Sequence, residues 1–194
     1  MSGRRGDPLL DTLVIFVVIF AVQVLAEVFS IALLAGLFVL SMPLTVEPWT
    51  LVTSVYAHNG PTHLVANAIA LIVFGWPIAR ATTRLRFHAF FVTVGAIAGA
   101  SQVVAVWLLG SQVGVLGASG AVFGLLGYLI VANRLSTTLS NYVPLPRWLA
   151  AIGYLALAAV VTYLAGTGSG VAVIAHFTGF LLGLIAGRFK VLRA

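Results

Sequence analysis

A chain of 194 residues in which 61% are hydrophobic and 7% charged, with a mean hydropathy of +1.15, carries more apolar surface than a soluble domain of that length can hide, so most of it must face lipid. The absence of cysteine excludes disulfide frameworks, thiolate nucleophiles and cysteine-ligated metals, and leaves the redox compartment open. Ten Lys and Arg against four Asp and Glu give a formal charge of +6, which in a soluble protein would suggest nucleic acid; here the charges read as a topology signal and a contact for anionic lipid, and no nucleic-acid partner is expected.

A membrane span takes about 20 apolar residues. Gly, Pro and charge clusters divide the chain into six such runs, near 12–34, 61–79, 87–109, 117–135, 147–165 and 171–189. The first run continues to Leu40, too long for a signal-peptide core of about 7–15 residues, and reads as a retained span followed by an apolar loop. Within it Glu27 reads as structural, bonded to Gln23 one turn earlier or raised at the interface. With no low-complexity segment and no internal repeat, residues 1–194 read as a single membrane domain. Arg4 and Arg5 precede span 1, Arg80, Arg84 and Arg86 lie between spans 2 and 3, Arg134 and Arg147 flank the connection of spans 4 and 5, and Arg188, Lys190 and Arg193 follow span 6. All ten fall on one side of a six-span chain. The positive-inside rule therefore predicts an all-α bundle of six transmembrane helices with both termini cytoplasmic, and His88 lies with the cytoplasmic arginines.

In this orientation the even-numbered spans begin at the outer face, and their first residues carry the chemistry. Span 2 opens with His63 and Asn67 after "HNGPT", span 4 with Ser119 in "GVLGASGAVFGLLG", and span 6 with His176 in "VAVIAHFTGF". Polar side chains at such depth are costly unless paired or facing water, which makes them functional candidates. At 100° per residue His63, Asn67 and Ala70 share one face of span 2. His176, Gly179, Gly183 and Gly187 fall within about 80° of arc on span 6, and Gly120, Gly124 and Gly127 form a similar strip near the Ser119 face of span 4. Facing glycine strips let helices approach closely, which would carry His176 toward Ser119.

A serine hydroxyl becomes an effective nucleophile when a neighbouring base takes its proton, and imidazole suits that task near neutral pH. The four acids are Asp7, Asp11, Glu27 and Glu47. With none after position 47, an intramembrane aspartyl mechanism and an HExxH metalloprotease are excluded, and hydrolysis would run on a Ser-His dyad. A metal site on His58, His63 and His176 has no supporting motif spacing. Ser169, in the "GTGSG" connection, reads as part of a flexible link. A small transporter would show polar residues along a complete path, whereas here they cluster in the outer third.

With these motifs the chain resembles the minimal six-span prokaryotic type of rhomboid intramembrane serine protease. "GASG" is similar to that family's GxSG, "HNGPTHLVAN" to its HxxxxHxxxN and "AHFTGFLLG" to its AHxxGxxxG. The resemblance implies Ser119 as nucleophile and His176 as general base and later acid. It implies an oxyanion site from His63, Asn67 and the backbone around Gly117, Ala118 and Ser119. His58 would be a structural neighbour, Phe123 would pack on His176, and Trp49 would mark a first loop lying partly in the outer leaflet. Two positions depart from the family pattern: Thr50 follows Trp49 where many members have arginine, and Ala79 stands where many have glutamate. The implied activity is endoproteolysis of transmembrane segments of other proteins near the outer face of a plasma (inner) membrane, without cofactor or metal. Substrate access would depend on movement of span 5 and the loop at 166–170. The alternative within the same fold is a catalytically silent relative that binds membrane clients.

Overall fold

The computed structural model describes residues 6–132, 146–166 and 171–193. Arg4, Arg5, Arg134, Ser169, the expected end of span 4 at 133–135 and most of the 166–170 loop lie outside them. Eight helices make up the described architecture. In α1 (Pro8–Phe29) the Asp7 carboxylate accepts a hydrogen bond from the Leu9 amide at 2.9 Å and Pro8 occupies the first turn, so the helix starts where an orphan N–H is satisfied.

The first expected span is corrected at its C-terminal end. Ser30 is extended (φ −171°, ψ 134°); its amide closes α1 on the Ala26 carbonyl, and its hydroxyl accepts from the Ala32 amide at 3.1 Å. One residue thus ends α1 and caps α2 (Ile31–Phe38), because a serine's local hydrogen bond competes with helix continuation. The apolar loop expected after span 1 is in large part this second helix. The short α3 (Thr50–Tyr56) is tied back to it: the Trp49 indole donates to the Gly36 carbonyl at 2.8 Å and the Thr53 hydroxyl to the Leu37 carbonyl at 2.5 Å. Thr50, almost wholly buried, donates to the Glu47 carbonyl at 2.6 Å, so the residue in the family's arginine position closes a turn. Gln23 does not pair with Glu27. Its amide instead grips the backbone of His58, accepting from the His58 amide at 2.9 Å and donating to its carbonyl at 3.4 Å, while Glu27 is exposed.

The remaining helices are α4 (Gly60–Ala79), α5 (Arg84–Leu108), α6 (Ser119–Ala132), α7 (Arg147–Leu164) and α8 (Val173–Arg188). By length and composition α1, α4 and α5 can cross a membrane, and α6, α7 and α8 are shorter apolar helices. Many large apolar side chains point outward, among them Val14, Val17, Leu25 and Ile69, each more than half exposed, as expected of a surface solvated by lipid rather than water.

The core centres on α6, buried on most sides and packed chiefly on α8, then on α5 and α4. Gly179 sits against the backbone of Gly120, Gly183 against that of Gly124 and Gly187 against that of Tyr128; Gly127 faces the Phe180 carbonyl oxygen. These are backbone-to-backbone contacts, which helices achieve only through small residues. The strip on α6 serves a second neighbour as well, since a side chain at Gly120 would meet Ala98 and one at Gly124 would meet Val94, both on α5. The outer helix α7 packs, among the described helices, on α8 alone.

Among the described residues, Arg84, Arg86, His88 and Arg193 gather at one end of this bundle. Arg84 pairs with Asp11 at 2.6 Å, His88 lies 3.3 Å from the same carboxylate, Arg86 reaches the Arg193 carbonyl, and Arg193 donates to the Ala132 carbonyl at 3.0 Å. Ser119 begins α6 and Ala132 is its last described residue, so the serine stands about 20 Å away, at the opposite end.

Candidate active site

Ser119 is the first residue of α6, where backbone N–H groups have no intrahelical partner and form a ready-made donor cluster. The approach to it is held from both sides. Leu40 and Val115 exchange two backbone hydrogen bonds of 2.9 Å, and the Gly117 amide donates to the Ser54 carbonyl at 2.9 Å. Gly117 has φ +134°, and a Cβ there would lie 2.7 Å from Cε1 of His63, so only glycine fits both the conformation and the space. Ala118 is fully buried.

His176, in the first turn of α8, brings Nε2 to 2.9 Å from the Ser119 hydroxyl oxygen across 57 residues of sequence. Its ring stacks on Phe123 with centroids 4.4 Å apart and planes 7° from parallel. Nδ1 of His176 is buried without a hydrogen-bond partner among the described residues. For Nε2 to accept the serine proton Nδ1 must carry hydrogen, and no carboxylate orients it. Orientation comes from the glycine contacts beneath the ring, from Phe123, and from a residue that sequence patterns do not reveal. Gln102 of α5, nine-tenths buried, accepts through Oε1 from the amides of Ile174 at 2.9 Å and Ala175 at 3.2 Å, capping α8 immediately before His176. One turn further, the hydroxyls of Ser101 and Thr178 pair at 2.9 Å.

The α4 residues arrive beside this pair. Nδ1 of His63 accepts from the Asn59 amide at 3.1 Å. That assigns the ring hydrogen to Nε2, the ring nitrogen nearer to where a Cβ on Gly117 would stand, and leaves it a donor on the side of the Ser119 loop. Asn67, buried, donates to the His63 carbonyl at 3.0 Å, and an amide nitrogen carries a second hydrogen for another acceptor. His58 is fully buried, with its ring edge-on to Phe16 at 4.6 Å and 5.4 Å from the His63 ring, and both its nitrogens lack partners among the described residues. Among those residues no group of three His, Asp or Glu is arranged to hold a metal ion. A cavity of about 480 Å³ opens next to the segments leading into Ser119 and His176, with Asn59 and Gln102 as its polar lining.

A helical membrane bundle with a serine and a histidine in hydrogen-bond contact at one end, flanked by further imidazole and amide groups, defines a polytopic membrane protein with a polar cluster set in its apolar helices. The chain belongs to the rhomboid family: residues 45–193 match the Rhomboid domain. It is similar to two proteins of Arabidopsis thaliana over 147 residues, 76% of this chain. These are RHOMBOID-like protein 5, at 33% identity over 45% of that protein's length, and RHOMBOID-like protein 4, at 30% identity over 35%. The chain thus spans less than half the length of these curated relatives.

Proposed function

We propose that this protein is an intramembrane serine endopeptidase that cleaves transmembrane segments of other membrane proteins. The contact of 2.9 Å between His176 Nε2 and the Ser119 hydroxyl carries the reading, because two spans packed for stability alone have no need of an imidazole acceptor on a serine at a helix start. In the reaction Ser119 Oγ attacks the scissile carbonyl while His176 takes its proton; His176 then gives that proton to the leaving amine. The acyl-enzyme is hydrolysed by water activated at the same histidine. The tetrahedral oxyanion is held by the Ser119 amide and the side chains of His63 and Asn67, with the Gly117–Ala118 backbone shaping the pocket. Phe123 stacks on the imidazole and favours its transient cationic form.

The proposed topology has six spans within a single domain over residues 1–194, with both termini and the arginine-rich end cytoplasmic and the Ser119 end near the outer face of the plasma (inner) membrane. Partners are the bilayer and transmembrane protein substrates, whose helices must unwind locally because a helical peptide bond is covered by its own hydrogen bonds. No metal or organic cofactor takes part. The test is labelling of purified protein with a serine-reactive fluorophosphonate, together with cleavage of a transmembrane substrate, in wild type, Ser119→Ala and His176→Ala. Wild-type labelling and cleavage that both variants lose support the reading. An unlabelled, inactive wild type overturns it in favour of a catalytically silent client-binding protein.

A further inference from the structure

We propose a phospholipid site at the basic end of the bundle, remote from Ser119, in which Arg80 holds the phosphodiester of an anionic headgroup. A cavity of about 640 Å³ lies there between the start of α1, the end of α4 and the start of α5, lined by residues that include Asp7, Trp76, Arg80, Thr82 and Arg84. The two arginines differ in what they have left to offer. Arg84 is committed to Asp11 at 2.6 Å. Arg80 has no carboxylate and no hydrogen-bond acceptor among the described residues; its guanidinium carbon sits 3.8 Å from the centroid of the Trp76 ring. Stacking on an indole orients a guanidinium without consuming its N–H donors, which match the oxygens of a phosphate.

Two further groups favour the same ligand. The Thr82 hydroxyl is buried without a partner among the described residues, a donor in need of an acceptor in a low-dielectric place. Trp76 is half exposed on an apolar helix face, the amphipathic setting in which tryptophan marks the headgroup level of a bilayer. Asp7, which caps α1 through its own carboxylate, brings one negative charge to the cavity. It therefore disfavours a dianion such as free phosphate and selects a singly charged phosphodiester. The cavity borders Trp76 on the exposed apolar face of α4, where Ile69, Val73 and Trp76 are about half exposed, so the phosphodiester is that of a lipid in the adjoining leaflet, its acyl chains lying along that face.

The site is tested by native mass spectrometry of detergent-purified protein given phosphatidylglycerol or phosphatidylcholine, and by thermal unfolding in nanodiscs of either lipid. Wild type retains phosphatidylglycerol and unfolds at a higher temperature in it. Arg80→Gln lowers that retention by about tenfold, the loss of one charge-assisted interaction, and Thr82→Ala lowers it less. Lys190→Gln removes the same charge from the same end, outside the cavity, and leaves retention within about twofold. Inorganic phosphate alone gives no shift. Equal loss in Arg80→Gln and Lys190→Gln would reduce the effect to general surface charge and overturn the site, as would equal retention of the two lipids by wild type. Circular dichroism confirms that each variant keeps its helices. A phosphate-induced shift that Arg80→Gln abolishes would overturn the lipid assignment in favour of the free anion.

Discussion

Replacing Gly183 by alanine puts a methyl group onto the backbone of Gly124. The new Cβ would lie 2.8 Å from the Gly124 carbonyl carbon and 2.9 Å from its Cα, and nearer still to the carbonyl oxygen. Carbon–carbon contacts settle at about 3.5–4.0 Å, so α6 and α8 must separate by something on the order of 1 Å, and neither surface is a flexible side chain that could swing aside. Alanine gains about 1 kcal/mol of helix propensity over glycine. Overpacking costs about 1–3 kcal/mol even where side chains can adjust, and here the larger figure applies along the most extensive helix pair among the described helices. The net expectation is a loss of about 2 kcal/mol, or roughly 4–8 °C in thermal unfolding for a domain of this size. Gly153 on α7 supplies the control, because nothing lies within 4 Å of a Cβ placed there. Gly153→Ala should be neutral or stabilising by up to about 1 kcal/mol. Thermal unfolding in a mild detergent reads both variants, and fluorophosphonate labelling reports whether the separation also moves His176 away from Ser119. If Gly183→Ala is as stable as Gly153→Ala, the backbone-to-backbone packing described for α6 and α8 is wrong.

Gln102→Leu removes the acceptor shared by the Ile174 and Ala175 amides and should cost about 0.5–2 kcal/mol, as lost helix caps do; turnover should fall with KM little changed, and an unchanged kcat would remove Gln102 from the positioning of His176. His63→Ala should lower kcat by about 10²–10³, the cost of one oxyanion donor, and Gly117→Ala, which drives a methyl into the His63 ring, should lower it in the same direction; a change confined to KM would remove His63 from the transition state. Burial lowers the pKa of the His58 imidazole from its ordinary 6.5 to about 4, with the neighbouring His63 acting the same way. A depressed pKa contributes stability that is complete above the unfolded value and disappears as the pH falls through the folded one, so thermal stability should decline from about pH 6.5 toward pH 4. His58→Phe, which keeps a ring edge against Phe16 and cannot be protonated, should flatten this contribution, and an unchanged pH profile in that variant would count against it.

How much of this is legible in a bare sequence depends on the range of the interaction. The helical, lipid-facing character follows from composition. The gathering of arginines at one end follows from their spacing between apolar runs. The meeting of α6 and α8 is encoded in glycines at intervals of three and four, a local pattern with a long-range consequence. The break at Ser30 is hidden because an uninterrupted apolar run looks the same whether one helix or two carry it, and the deciding event is a single hydroxyl capping one amide. The grip of Gln23 on His58 and the cap of Gln102 on α8 each join residues dozens of positions apart through one glutamine. No periodicity announces such a pairing, and a lone buried amide has no motif. The tautomer of His63 is illegible for the same reason, since it is set by one backbone N–H of Asn59.

Those hidden contacts bear on how a dyad could work without an acid. In a triad the carboxylate holds the imidazole in one orientation and one tautomer and steadies its positive charge. Here the orienting task falls to packing: Gly179 seats the second turn of α8 on Gly120, Gln102 caps the first turn from α5, and Phe123 lies flat against the ring. Phe123 also offers its π face to the imidazolium, though more weakly than a carboxylate would. The tautomer is left to the contact itself, because the hydrogen must sit on Nδ1, which has no partner among the described residues, whenever Nε2 accepts from Ser119. A carboxylate at this depth would need a large desolvation cost repaid, whereas a glycine strip and a phenylalanine need none, and the smaller cost of a neutral glutamine is repaid by the two amides it accepts from. On this account the rate should be more sensitive to substitutions that shift α8 by a fraction of an ångström than to removal of any one polar neighbour of the histidine.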